Sequence, residues 1–271
     1  MEREGVETTV SEAGVFAARV SYDGHGFAGF QRQPGLRTVQ GNIEDALAII
    51  LRREVVTTGA GRTDTGVHAL GQVVSFVAEG GEPPTQTLQR SLNALCAPDI
   101  AVTDLRVLPP GFDARHSAIG REYRFRIVTG AAPPVFLARY AWWVRGSLDL
   151  DAMRTASTAL LGEHDFASFC VTESAIGKNT RRGIDTLEID PATHLGEACV
   201  EIRVVGRAFL HSMVRIVVGS LVEVGKGRRS PEWLRQALAA CDRAAAGPTA
   251  PPHGLVLWDV RYPEEWGLRV P

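Results

Sequence analysis

Hydrophobic positions alternate with polar ones over Val15–Tyr22 (VFAARVSY), the two-residue period of a strand with one buried face. Val39, Ile43, Ala46, Leu47, Ile50 and Leu51 then recur at helical spacing, one continuous stripe on a helix over residues 39–53 with Thr38 as N-cap. The β-branched run EVVTT (54–58) and the apolar Val73, Val74, Phe76 and Val77 predict two strands joined by a glycine-rich loop. Leu88, Leu92 and Leu95 mark a second helix limited by Pro98, and residues 100–108 read as a further strand. The order β, α, β, β, α, β is the ferredoxin-like arrangement.

A second round of the same kind follows Pro109, Pro110 and Gly111, the expected crossover. Residues 123–128 predict a strand, 153–161 a helix ended by Gly162, and 183–189 with 198–205 a strand pair. An apolar helix is expected over 209–224, another opens at Ser230 and Pro231, and 255–260 (LVLWDV) closes as a strand. Residues 162–182 show little periodicity and predict a long loop, hence a binding candidate. The expectation is an α+β fold of two ferredoxin-like halves with antiparallel sheets and a cleft between them. The halves cover residues 15–110 and 111–265, with an acidic, flexible tail over 1–14 and a short tail over 266–271.

Composition narrows this picture only a little. The chain has 271 residues, 45% hydrophobic and 22% charged, which suits an ordinary globular protein. Its four cysteines (96, 170, 199, 241) form no CxxC pair, so reduced thiols are expected rather than a zinc or disulfide framework. Residues 1–12 lack the apolar stretch of a signal peptide, and the longest uncharged apolar run, 216–222, is far short of the roughly 20 residues a membrane span needs. A soluble, cytoplasmic protein without membrane partner is expected. Net charge is −2, but residues 1–14 alone hold four Glu against one Arg. Local clusters (Arg115, Arg121, Arg124, Arg126; Lys178, Arg181, Arg182) leave an RNA partner open, because a patch rather than the total would bind it.

Gly24, Gly26 and Gly29 formally make G-x-G-x-x-G after a strand, yet no helix can open before about Thr38, so the dinucleotide reading fails and no nucleotide cofactor is expected. The stretch GAGRTDTGVHALGQVVSF (59–76) sets Arg62, Asp64 and His68 among four glycines between two strands. Asp64 before Gly66 suits a plain turn as well as a site on a close-approach loop. Arg215 is the only formal charge in AFLHSMVRIVVGSLV, and burying a guanidinium calls for a carboxylate partner, in the core or in a site. Tyr123 in its alternating strand could simply face the core. His68 and His116 could exchange protons but lack any ligand or triad spacing, and His164 with Asp165 suits a solvated loop. Ser/His/Asp order, HExxH and the phosphate-loop pattern are absent, and no metal or cofactor is predicted.

These motifs together resemble the TruA family of tRNA pseudouridine synthases. AGRTD (60–64), GVHA (66–69) and GQV (71–73) match its signature, with Thr65 in place of the usual Ala. YDGHGFAGFQ is similar to its YDG-x-x-F-x-G-W-Q, with Phe30 replacing Trp. Phe209, His211, Met213, Val214, Arg215, Val218 and Gly219 match F-x-H-x-M-V-R-x-x-V-G, although Ile216 stands where Asn is frequent. SAIGREYRF is similar to S-A-x-x-R-x-Y-x-Y, GEHDFASF to another family motif, and Phe112, Asp113, Ala114, Arg115 and His116 to an RNA-contacting F-x-A-R segment. The resemblance implies the pseudouridine synthase fold, a homodimer, and isomerisation of uridine at positions 38, 39 and 40 of the tRNA anticodon stem-loop. It assigns Asp64 as nucleophile or proton acceptor, Arg215 as its partner, Arg62 to base flipping and Tyr123 to stacking on the base. Two rivals are a non-catalytic RNA-binding module of RRM type, against which the missing RNP1 run counts, and a hydrolase using Asp64 on a small substrate, which would want a second acid or a metal pair.

Overall fold

In the computed structural model, which describes residues 14–268, both rounds of βαββαβ are present. The first comprises β1 (Val15–Tyr22), α1 (Val39–Leu51), β2 (Thr58–Gly59), β3 (His68–Val77), α2 (Thr85–Cys96) and β4 (Ile100–Leu108). The second is built on β5 (Gly120–Gly130), α3 (Leu150–Ser157), β9 (Thr186–His194), β10 (Glu197–Gly206), α5 (Met213–Gly225) and β11 (Leu255–Arg261). Into it are inserted β6 (Trp142–Arg145), β7 (Gly162–Asp165), α4 (Thr172–Ala175), β8 (Arg181–Ile184) and α6 (Pro231–Ala240). The expected acidic tail lies, apart from Gly14, outside the described residues, as do 269–271.

The main strands run β4-β1-β3-β11-β5-β10-β9, with β2 beside β3 and β6 beside β5. Each half therefore has the ferredoxin-like order of fourth, first, third and second strand, and the α+β expectation holds. The two sheets are fused into one. β2 is short because residues 54–57 are tied to α1 rather than to a strand: Glu44 accepts from the Thr57 amide and hydroxyl (2.9 and 3.0 Å), and Gln40 Nε2 donates to Thr57 O at 2.8 Å. β2 thus covers β3 only at Val74 and Ser75, and β11 pairs in parallel with the same edge at His68 and Ala69. One hydrophobic core, from Val15 to Tyr262, runs beneath both halves.

α1 follows the sequence closely. Thr38 Oγ1 accepts from the Gly41 amide at 3.2 Å, and Val39, Ile43, Ala46 and Leu47 are buried. α3 starts three residues earlier than its hydrophobic pattern, because Asp149 caps it by accepting from the Ala152 amide. Residues 162–182 are not a structureless loop. β7 and β8 pair as a ribbon, and Phe166 and Phe169, both fully buried, anchor the turn between them. α5 begins at Met213, four residues later than its apolar run, since Ser212 adopts the left-handed conformation (φ 57°). Among the described residues no helix is long and apolar enough to cross a membrane, no His/Cys/Asp/Glu group could hold a metal ion, and the four cysteines are unpaired.

Candidate active site

The loop after β2 is held from every side. The Ala60 amide donates to Val73 O at 2.8 Å, and the buried Gln72 carboxamide takes both ends of Gly61, accepting from its amide at 3.2 Å and donating to its carbonyl at 2.8 Å. Thr63 O accepts from the Phe30 amide at 3.0 Å, and Thr63 Oγ1 lies 2.8 Å from the Tyr22 hydroxyl. Gly24 lets the first glycine loop press on this one, because a Cβ there would stand 2.1 Å from Val67 O. The YDGHGFAGF segment is therefore a buttress for the loop, not a phosphate cradle.

Arg121 completes the clamp. Its guanidinium is buried, has no carboxylate partner among the described residues, and donates to Ala60 O (3.2 and 2.8 Å), Arg207 O (2.6 Å) and Arg115 O (2.8 Å). Burial draws its pKa below the ordinary arginine value. One side chain thus locks the Asp64 loop to the turn after β4 and to the end of β10. Arg121 is the Arg of the SAIGREYRF motif, but the sequence shows it beside Arg124 and Arg126 without indicating that it alone is buried on backbone carbonyls.

Asp64 comes from this loop to meet the first turn of α5. Arg215 Nη1 donates to its Oδ2 at 2.8 Å, and the Ser212 hydroxyl donates to the same oxygen at 2.7 Å. Oδ1 accepts no hydrogen bond among the described residues and has His211 Nε2 at 3.6 Å. The ion pair is largely withdrawn from solvent, with side chains 20% and 15% exposed. Arg215 is aimed by its own Nε, which donates to Ala250 O at 2.8 Å. A carboxylate at a helix N-terminus also faces the positive end of the macrodipole. The carboxylate that Arg215, the one cation of α5, demanded is therefore Asp64.

Around this pair opens a cleft of about 1110 Å³. Tyr123 lies in its wall, 8% exposed and edge-on to Phe209 (5.3 Å, 90°), and its hydroxyl makes no hydrogen bond among the described residues. Burial pushes its phenol up to about 12, so it stays protonated at neutral pH and can donate but not act as a base. Arg62, Arg115 and Lys178 line the same cleft, exposed and with no ion pair or side-chain hydrogen bond among the described residues. Lys178 comes from the β7–β8 insertion, so that segment does reach the cleft.

The FDARH segment divides. Phe112 packs on Tyr262 and Trp266 (5.2 Å each) and is 4% exposed, while Ala114 is fully buried between Ser75 Oγ and the Tyr262 hydroxyl. Neither side chain is open to an RNA contact, which corrects that expectation. Asp113 Oδ1 accepts from the amides of Arg115 and His116, shaping the turn that leaves those two side chains exposed. His68 is buried, its Nδ1 accepting from the Gly24 amide and its Nε2 facing Arg139 O at 3.1 Å. Burial lowers its pKa and keeps it neutral, a structural histidine. His164 is likewise local, 2.8 Å from Leu161 O. Gln72, Ser212 and His211 went unnamed as site residues. The last two lie inside the apolar run that was read as continuous helix, where a Ser just ahead of the lone Arg was the available signal.

A family model described as tRNA pseudouridine synthase matches residues 18–111 and 156–263. The tRNA pseudouridine synthase A of Thermotoga neapolitana is 42% identical over 246 residues, covering 91% of this chain and 98% of that protein. The enzyme of the same name from Bacillus subtilis is 41% identical over 245 residues, covering 90% and 97%. Among solved structures, an archaeal box H/ACA sRNP Nop10-Cbf5 complex aligns with 76% of this chain and 43% of that one, at 15% identity and a TM-score of 0.33, too slight a likeness to build on. Similarity of the first kind, carried over nine-tenths of the length and through both the Asp64 loop and the Arg215 helix, leaves one conclusion: the chain belongs to the tRNA pseudouridine synthase family and is an isomerase.

Proposed function

We propose that this enzyme isomerises uridines 38, 39 and 40 in the anticodon stem-loop of tRNA, with Asp64 as its catalytic group. The observation that carries this reading is Asp64, the one carboxylate lining the cleft among the described residues, fixed through one oxygen by Arg215 and Ser212 while its other oxygen has His211 Nε2 at 3.6 Å. A stacked uridine cannot reach such a group, so the base has to leave the helix, at a cost of about a few kcal/mol. Arg62, exposed at the cleft and unpaired among the described residues, fills the space it vacates. The Tyr123 ring takes one face of the uracil, a stacking contact contributing on the order of 1–3 kcal/mol. Arg115 and Lys178 meet phosphates.

Asp64 then attacks the ribose or removes a proton from it, and the bond from the sugar to N1 breaks. The uracil turns within the cleft and rejoins through C5; C5 loses its hydrogen and N1 gains one, so no oxidant or cofactor enters the balance. Residues 15–110 supply Asp64 and residues 111–265 supply Tyr123 and Arg215. We further propose that the enzyme acts in the cytoplasm as a homodimer.

The test is site-resolved pseudouridine mapping on an unmodified tRNA with uridines at 38 to 40, using wild type and Asp64→Ala side by side. Product at those sites from wild type alone is expected. Product from Asp64→Ala removes the catalytic assignment, and product confined to other positions removes the site assignment.

A further inference from the structure

Four described non-glycine residues have positive φ: Arg52, Leu195, Ser212 and Cys241. Arg52 and Cys241 end helices, where the left-handed conformation is common, and Leu195 lies in the turn between β9 and β10. Ser212 alone stands at a helix N-terminus, at φ 57° and ψ 11°. A serine there normally takes an extended backbone and turns its hydroxyl back onto the helix amides two or three residues on. Ser212 does neither; its side chain caps nothing on α5 and donates instead to Asp64 Oδ2 at 2.7 Å. The helix gives up its own cap, and the backbone adopts a conformation that L-residues disfavour, in order to hold the carboxylate.

We propose that Ser212 is a positioning residue for the reaction. Together with Arg215 it places two donors on Oδ2, at 2.7 and 2.8 Å, which opposes rotation of the carboxylate and leaves Oδ1 as the oxygen presented to the substrate. His211, at 3.6 Å from Oδ1 and bonded through Nδ1 to Ser174 Oγ (2.8 Å), stands beside that oxygen without engaging it. Arg215 alone would leave the carboxylate free to swing about a single contact. The inference rests on Asp64 being the reacting group.

Ser212→Gly separates the roles, because glycine accepts positive φ without strain and removes the hydroxymethyl group that reaches Asp64. The full-length variant is compared with wild type for melting temperature, tRNA dissociation constant and single-turnover pseudouridine formation at saturating tRNA. The tRNA affinity is expected to be unchanged and melting temperature to shift little, since relief of the positive-φ strain offsets the lost hydrogen bond in the folded state, while the single-turnover rate falls by about ten- to a hundredfold, the range a lost hydrogen bond to a charged group supports. Ser212→Asn, a residue that tolerates this backbone and restores an N–H donor, is expected to recover most of that rate. A Ser212→Gly rate within twofold of wild type, or a loss that appears in tRNA affinity or that Asn fails to relieve, overturns the proposal. Asp64→Ala runs alongside: if it forms product, the reading beneath the inference fails, whereas an inactive Asp64→Ala with a fully active Ser212→Gly rejects the inference alone.

Discussion

The contact between Asp64 and Arg215 lends itself to a double-mutant cycle. Arg215→Met keeps an unbranched side chain in α5 but removes two hydrogen bonds, Nη1 to Asp64 at 2.8 Å and Nε to Ala250 O at 2.8 Å. Breaking a buried pair by deleting one partner costs about 3–5 kcal/mol, and a fully exposed pair is worth about 0–1 kcal/mol. With the two side chains 15% and 20% exposed, this pair lies nearer the buried limit, and a loss of about 2–3 kcal/mol is expected for Arg215→Met. Asp64→Ala leaves Arg215 tied to Ala250 and should cost less, about 1–2 kcal/mol. The double variant strands neither charge, so its loss should fall short of the sum by about 1.5 kcal/mol. Urea unfolding followed by the fluorescence of the five tryptophans measures all four proteins, and an unchanged denaturant slope confirms that the comparison is of stability alone. Losses that add to within about 0.5 kcal/mol would mean that solvent screens the pair and that Arg215 does not fix the carboxylate.

Three further outcomes follow from other residues. Arg62→Ala, at an exposed side chain without partners among the described residues, is expected to leave stability within about 0.5 kcal/mol while sharply reducing pseudouridine formation on folded tRNA; an equal loss of stability would place Arg62 in the scaffold instead. Gly219→Ala would set a Cβ 1.8 Å from Pro248 O, forcing α5 away from the segment that holds Arg215, and a loss of at least about 3 kcal/mol or of soluble protein is expected in denaturation and expression assays. Tyr123, with a folded pKa of about 12 against the usual 10, binds its proton more tightly folded than unfolded, so its stabilising share is intact below pH 10 and lost as pH rises toward 12. Melting temperature should fall across that window, and less steeply in Tyr123→Phe; an identical slope in the variant would refute the assignment.

Much of this molecule was legible in its residues where local pattern and tertiary demand agree. The α1 stripe and the alternation of β1 each had one physical solution, and Arg215, the one cation of α5, called for a carboxylate; the structure contains all three. Misreadings arose where a distant side chain overrode local preference. Residues 54–57 have strand composition, but Glu44 and Gln40 capture Thr57 for α1. Residues 209–212 continue the apolar run of α5, yet Asp64, about 150 positions earlier in the chain, draws Ser212 out of helical geometry. Phe112 and Ala114 looked like members of a contact motif because sequence shows adjacency and not direction; Tyr262 and Trp266, from the far end of the chain, turn them inward. Arg121 is the plainest case, since its three carbonyl acceptors belong to segments that no sequence window contains together.

The fusion of the two sheets has a consequence for how the protein is made. β11 is the last strand in the chain, and it lies in the middle of the sheet, between β3 and β5. During synthesis β4, β1 and β3 can pair as they emerge, and β5, β9 and β10 can do likewise, but the strand between them is delivered only when residues 255–261 leave the ribosome. Until then two incomplete sheets carry open edges, and the Asp64 loop and the Arg215 helix have no shared frame. A chain arrested or clipped before residue 255 would therefore hold every residue assigned to the chemistry and still have no assembled site, so that competence to modify RNA arrives in one step once β11 is in place.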